Sequence, residues 1–104
     1  IQVNIALNYG FKDEIVRSFK LIKHKSLKIS KKTIESNLYT KSMPDPQILI
    51  RTGGTNRLSN FLLWQLAYAE IFFIKKLWPD FNKNDLNRII YNYNKINRNF
   101  GSIK

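Results

Sequence analysis

Residues 48–60 read ILIRTGGTNRLSN, a short apolar run that ends in a polar loop containing two glycines. A continuous apolar run of this length is typical of a strand in a parallel sheet that is covered on both faces. The glycine pair predicts a turn, and Ser59 or Asn60 is then expected to begin a helix that runs to Glu70. A strand, a loop and a helix in this order indicate an α/β fold.

The rest of the chain continues the alternation of strands and helices. In residues 3–8, larger apolar side chains alternate with asparagine or alanine, as in a half-buried strand. The other expected elements are a helix over residues 13–23, a shorter helix capped by Ser30, a short strand over residues 71–73, and a long helix from Asn82 or Asn84 to Phe100. We therefore predict an α/β domain over residues 1–104, with a mainly parallel central sheet flanked by helices.

The composition limits the classes of function. The chain has 104 residues and no cysteine, which excludes a disulfide framework and thiolate metal sites. The net charge of +11 would suit a nucleic-acid-binding domain, but 13 lysines accompany 12 asparagines and 14 isoleucines, as an AT-rich coding sequence would produce. No stripe of basic and aromatic residues supports nucleic-acid binding, so we predict no nucleic-acid partner. The apolar window 61–74 contains Gln65 and Glu70 and is too short to span a bilayer.

The loop after residue 50 combines several donors that suit a diphosphate. Arg51 and Arg57 provide planar guanidinium groups that match phosphate oxygens, and Ser59 adds a hydroxyl. Gly53 and Gly54 would let backbone N–H groups approach an anion, and a helix beginning near Ser59 would add its positive end. The alternative is a surface turn with two solvated arginines.

Glu70 is the second feature of this region that indicates ligand binding. It is the only charged residue between Arg57 and Lys75, and its apolar neighbours suggest burial. A buried carboxylate needs an ion pair, hydrogen bonds or a metal ion, and Mg²⁺ is commonly held by one or two carboxylates together with substrate phosphates. The alternatives are a buried salt bridge and a glutamate at a helix end that reaches water. No second acidic residue is an obvious partner for it.

The long stretch PDPQILIRTGGTNRLSNFLLWQLAYAEIFFIKKLWPDF, residues 44–81, resembles the C-terminal signature of the cis-prenyltransferases, or isoprenyl transferases, which include the undecaprenyl diphosphate synthases. The opening NIALNYGFKDEIV and the closing NRNFG are also similar to segments of that family. The resemblance implies an α/β fold, of which residues 1–104 would be a partial domain, the C-terminal part of a single cis-prenyltransferase domain, and it implies a homodimer. It further implies an enzyme that adds isopentenyl diphosphate to an allylic diphosphate, commonly farnesyl diphosphate, with Mg²⁺ assisting the departure of diphosphate.

Individual residues take expected roles from this resemblance. Arg51, Arg57 and Ser59 match positions that hold isopentenyl diphosphate, Gly53 and Gly54 support the loop, and Glu70 matches a Mg²⁺ ligand. The family's catalytic aspartate belongs to an N-terminal half that this sequence does not match. The catalytic residue is therefore not among these 104, and the chain is expected to be inactive by itself.

Two positions depart from the family pattern. Thr55 stands where the family usually has glutamate, and Asn99 stands where it usually has arginine, with Arg98 just before it. Two further interpretations stay open: a non-catalytic partner subunit and an inactive truncated remnant of the same family. The resemblance implies a cytoplasmic protein with a membrane-associated product, and hence a location that extends to the membrane surface.

Overall fold

The computed structural model describes residues 1–101. Three α-helices, two strands and one turn of 3₁₀ helix follow each other along the chain. They are α1 (Phe11–His24), α2 (Lys31–Glu35), β1 (Ile48–Arg51), β2 (Glu70–Phe73), the 3₁₀ turn (Trp78–Asp80) and α3 (Lys83–Asn94). The chain divides into two compact units, one formed by residues 1–44 and 59–63, the other by residues 45–58 and the described residues from 64 onward.

In the first unit, α1 and α2 share a small core. Ile22, Ile34 and Leu38 are buried, and the hydroxyl of the buried Ser18 donates to the carbonyl oxygen of Ile34 at 3.2 Å. The cap predicted at Ser30 is confirmed, since its hydroxyl accepts from the backbone N–H of Thr33 at 3.1 Å. This contact satisfies a donor that the first turn of a helix leaves without an intrahelical partner.

The second unit contains a two-stranded sheet. β1 and β2 are parallel, with Ile48 opposite Glu70 and Arg51 opposite Phe73. The predicted strands before Arg51 and over residues 71–73 are thus confirmed, although β1 is half-buried along its length. The parallel pairing agrees with the α/β class predicted from the sequence.

Helix α3 begins where the sequence predicted. The side chain of Asn82 accepts from the backbone N–H groups of Asn84 and Asp85, and the carboxylate of Asp85 accepts from the N–H of Asn82. The prediction that this helix reaches Phe100 is wrong, because it ends at Asn94. Beyond it, Arg98 donates to the hydroxyl of Tyr93 at 2.6 Å and to the carbonyl of Tyr68.

Two further predictions of secondary structure are wrong. Residues 3–7 form no strand, and Val3, Ile5 and Leu7 are 77%, 79% and 83% exposed. Alternation alone does not make a strand, because the backbone N–H and C=O groups also need a ladder partner. No segment within residues 1–101 supplies that partner.

The second wrong prediction is the helix from Ser59 to Glu70. Ser59, Asn60 and Leu62 have φ angles of 51°, 62° and 45°, in the left-handed region. Asn60 instead caps α1: its carbonyl oxygen accepts from the N–H of Phe11 at 2.8 Å and its side-chain oxygen from the N–H of Lys12 at 2.9 Å. This tertiary contact replaces the local helix.

Within residues 1–101, no helix has both the length and the apolar character that crossing a bilayer would require.

Candidate diphosphate-binding site

Arg51 is the last residue of β1, at the carboxyl end of the strand pair. Its Nε donates to the hydroxyl oxygen of Thr55 at 3.1 Å, and the side chain is half-buried. In open α/β sheets, ligands bind beyond the carboxyl ends of the strands. Thr55, one of the two departures from the family pattern, therefore contacts Arg51 through a neutral hydroxyl, which adds no negative charge beside the guanidinium group.

The glycine pair has a different role from the one expected. Gly53 and Gly54 have φ angles of 91° and 73°, which favour glycine. Their N–H groups donate to the carbonyl oxygens of Lys76 at 2.8 Å and Ile74 at 3.1 Å. The prediction that these N–H groups face an anion is wrong, because both donate within the protein. The glycines instead fasten the loop to the segment that follows β2.

Arg57 and Ser59 follow this loop, and both are exposed. Ser59 belongs to the first structural unit and Arg57 to the second. Because no helix begins at Ser59, the positive helix end expected there is also absent from the described chain. The cationic donors of the loop are thus the two guanidinium groups.

Glu70 lies away from Arg51 within the strand pair. It is the first residue of β2, half-buried, and its backbone N–H donates to the carbonyl of Gln47 at 3.0 Å. The register places it opposite Ile48, about 10 Å along the strand from the level of Arg51. Paired residues share a face and successive residues alternate, so Glu70 and Arg51 project to opposite faces. The strands do not bring the two residues together.

An ion-pair cluster that the sequence interpretation missed lies next to the glycine loop. Lys76 Nζ is 3.0 Å from both carboxylate oxygens of Asp85, and Arg88 Nη2 is 2.7 Å from Oδ1. The Asp85 side chain is 3% exposed. The hydrogen bond from Lys76, the N–H of Asn82 and the two positive charges lower the pKa of Asp85 below its ordinary value of 3.8. The pattern Asn82-x-x-Asp85 predicts the start of a helix, but it does not predict that Lys76 pairs with Asp85.

Glu14 is a second buried carboxylate that was missed. It is 1% exposed and accepts hydrogen bonds from the Tyr9 hydroxyl and from the backbone N–H of Tyr39, the latter at 2.7 Å. Its position in the first turn of α1 was read only as a helix-end charge. It joins three segments of the first unit.

Comparison with known proteins matches this architecture to a family. The sequence model described as "Putative undecaprenyl diphosphate synthase" covers residues 1–101. The chain belongs to this isoprenyl transferase family. It is 49% identical over 102 residues to an isoprenyl transferase of Rickettsia prowazekii and 47% identical over 111 residues to that of Clostridium perfringens. The resemblance recognised in the sequence is thereby confirmed.

Two solved structures share the fold of this chain. A probable undecaprenyl diphosphate synthase from Campylobacter jejuni superposes with a TM-score of 0.82 at 39% identity, over 93% of this chain and 46% of that one. Lavandulyl diphosphate synthase from Lavandula x intermedia, solved in complex with dimethylallyl diphosphate, gives 0.85 at 38% identity, over 93% of this chain and 45% of that one.

The chain is short relative to these isoprenyl transferases. The Rickettsia alignment covers 97% of this chain and 45% of the relative, and the Clostridium alignment covers 100% and 44%. The chain therefore spans less than half the length of the relatives that it matches.

Proposed function

We propose that this chain supplies the isopentenyl diphosphate site of an isoprenyl transferase, which condenses isopentenyl diphosphate with an allylic diphosphate into a cis-polyprenyl diphosphate such as undecaprenyl diphosphate. The observation that carries the proposal is the loop of residues 51–57, here called the arginine loop. Its Thr55 hydroxyl contacts Arg51 at the carboxyl end of a parallel strand, Arg57 is its last residue, and Ser59 lies two residues beyond it. Farnesyl diphosphate is the proposed allylic substrate, and the assembled enzyme is proposed to be a homodimer.

In the proposed reaction, the carbon–oxygen bond of the allylic diphosphate breaks and its diphosphate leaves with the bonding electrons. The alkene of isopentenyl diphosphate attacks the allylic carbon, and the resulting cation loses a proton to form the new double bond. The diphosphate of isopentenyl diphosphate is retained, so the arginine loop acts as its anchor. Holding the nucleophile in place reduces the entropic cost of bringing two substrates together.

The metal requirement is proposed separately. Members of the family generally depend on Mg²⁺. Among residues 1–101, no three or more His, Cys, Asp or Glu side chains converge in a way that could hold a metal. Glu70 nevertheless fits as a single oxygen ligand, since Mg²⁺ commonly takes one or two carboxylates and completes its shell with phosphates and water. Bound Mg²⁺ would supply charge neutralisation for the departing diphosphate. Because Glu70 and Arg51 point to opposite faces, we propose that Glu70 acts apart from the arginine loop.

Calorimetric titration of the 104-residue chain with isopentenyl diphosphate and with inorganic pyrophosphate tests the anchor. We expect Arg57→Ala to weaken binding of both ligands by about tenfold or more, because a charge-assisted contact to phosphate is lost. Arg17→Ala, which removes an exposed arginine from α1, is the matched control and should bind both ligands as the unaltered chain does. Equal affinities of Arg57→Ala and the unaltered chain would refute the role of Arg57.

A further inference from the structure

We propose that Asp85 is a positioning residue for the arginine loop and that it acts through Lys76. The inference rests on the proposed function, because it concerns how that loop is held for a diphosphate. Neither Asp85 nor Lys76 belongs to the diphosphate donors themselves. Their contacts nevertheless connect the start of α3 to the backbone of the loop.

The first part of the connection is a set of backbone hydrogen bonds. The N–H of Gly53 donates to the carbonyl of Lys76 at 2.8 Å, and the N–H of Gly54 to that of Ile74 at 3.1 Å. The N–H of Ile74 in turn donates to the carbonyl of Arg51 at 2.8 Å. The loop is thus fixed to residues 74–76, which lie beyond the end of β2.

The second part holds this segment at Lys76. The Lys76 ammonium lies 3.0 Å from each oxygen of the Asp85 carboxylate. Asp85 is itself fixed at the start of α3, because its Oδ2 accepts from the backbone N–H of Asn82 at 3.1 Å, a contact that does not involve the Asn82 side chain. Hydrogen bonds between charged groups are the stronger ones, and a carboxylate fixed on a helix is a rigid anchor for them.

Lys76 therefore has two separate contacts: its carbonyl holds Gly53 and its ammonium holds Asp85. A loop whose backbone is fixed in this way loses less conformational entropy when a ligand orders it. We accordingly expect that releasing Lys76 will loosen the glycine pair and weaken diphosphate binding.

Two alternative roles for Asp85 lead to different results. If Asp85 acted only through its charge, its neutralisation would leave Lys76 and Arg88 uncompensated, and diphosphate binding would become tighter. If Asp85 acted only as part of the cap of α3, then Asn82→Ala would have the same effect on the loop as Asp85→Asn. The positioning role predicts weaker binding for Asp85→Asn and no effect on the loop for Asn82→Ala.

The experiment uses the 104-residue chain with inorganic pyrophosphate as the probe. Calorimetry gives the affinity, and NMR gives the hydrogen-exchange rate of the Gly53 amide, which is easily assigned in a chain with four glycines. We expect Asp85→Asn to raise the Gly53 exchange rate about tenfold and to weaken pyrophosphate binding about three- to tenfold. Lys76→Met should raise the Gly53 exchange rate to a similar extent. Asn82→Ala should lower the melting temperature without changing either readout, and Asp80→Asn, in the exposed 3₁₀ turn, should change neither.

The outcomes separate the proposals. Gly53 exchange that stays at the rate of the unaltered chain in both Asp85→Asn and Lys76→Met overturns the positioning role, as does tighter pyrophosphate binding by Asp85→Asn. If Asp85→Asn does not fold, Lys76→Met decides the question, because its side chain is 46% exposed and its loss leaves the cap of α3 in place. If the unaltered chain binds no pyrophosphate, the proposed function fails, while Gly53 exchange still tests the connection.

Discussion

At the scale of single residues, Asp85 shows how one carboxylate serves several partners. It accepts hydrogen bonds from Lys76, Arg88 and the backbone of Asn82 while its side chain is buried. If a buried carboxylate of this kind is replaced, the charged and polar groups that bonded to it are left without a partner. Such a replacement therefore usually lowers the free energy of unfolding.

The pH dependence of stability should reveal this carboxylate. The pKa of Asp85 is lowered in the folded chain, chiefly by the hydrogen bond from Lys76, so the unfolded chain binds its proton more readily. The stabilisation is therefore present above the ordinary pKa of 3.8 that the carboxyl has in the unfolded chain, and it is lost as the pH falls through the lower folded pKa. We expect the stability difference between the unaltered chain and Asp85→Asn to be constant from about pH 7 to about pH 5 and to shrink below about pH 4.

Urea unfolding across this range measures that difference. Asp80→Asn serves as the control, because the Asp80 carboxylate is exposed in the 3₁₀ turn. If the difference in the free energy of unfolding between the unaltered chain and Asp85→Asn stays constant down to about pH 2, folding does not change the pKa of Asp85.

Glu70 is the other residue whose proposed role depends on its charge. We expect Glu70→Gln to raise the Mg²⁺ concentration needed for turnover and to lower the rate, while the thermal midpoint stays near that of the unaltered protein, because a metal ligand is lost from a half-buried site. The test protein is a chimera in which this chain replaces the matching 45% of the Rickettsia prowazekii isoprenyl transferase. Glu35→Gln, at an exposed position of α2, is the matched control. A large fall in the thermal midpoint with an unaltered Mg²⁺ requirement would make Glu70 structural.

At the scale of elements, α1 depends on a residue far along the chain. Its N-cap position, Gly10, has no side chain to accept a hydrogen bond, and Asn60 accepts from the N–H groups of Phe11 and Lys12 instead. Asn60 must adopt a left-handed φ of 62° to do so. Asparagine tolerates this conformation better than most residues, and its side chain is a good cap.

Two substitutions separate these two properties of Asn60. Asn60→Gly keeps the backbone conformation but loses the side-chain hydrogen bond with the N–H of Lys12, so the free energy of unfolding should fall by about 1 kcal/mol, the net contribution of one hydrogen bond. Asn60→Ala also forces a residue with a Cβ into the left-handed region, so the fall should reach about 2–3 kcal/mol. Denaturant unfolding measures both, with Asn56→Ala in the exposed part of the arginine loop as the control. Equal effects of the glycine and alanine variants would rule out the contribution of backbone strain.

At the scale of the whole molecule, the chain matches less than half of each relative and places several apolar side chains in solvent. By resemblance, the aspartate that carries catalysis lies outside these residues. We therefore expect the 104-residue chain to give no prenyl transfer from labelled isopentenyl diphosphate and farnesyl diphosphate with Mg²⁺. The Rickettsia chimera is the positive control. It should catalyse prenyl transfer, because it combines this chain with the rest of an isoprenyl transferase. Product above background from the 104-residue chain would contradict the expectation.

Local sequence was sufficient for the elements whose determinants are neighbours in the chain. The strand before Arg51, the caps at Ser30 and Asn82 and the α/β class follow from apolar runs and side chains that act within a few residues. The family could also be recognised from its motif, which is a contiguous stretch of sequence. Arg51 and Arg57 could likewise be picked out from the sequence, because both lie within that stretch.

Tertiary structure alone decided the features that depend on distant partners. Residues 3–7 have the pattern of a strand but no ladder partner within the described chain. Asn60 lies in a segment with a helical sequence pattern, but it caps α1 and forms no helix of its own. Two further features depend on how the glycine loop packs against the segment after β2. They are the ion pair of Lys76 with Asp85 and the hydrogen bonds from both glycine N–H groups to carbonyls of residues 74–76. Periodicity and spacing report only on a segment's own preferences. A hydrogen bond between residues far apart in the chain can outweigh those preferences, because an unsatisfied buried polar group costs more than a weak local propensity gains.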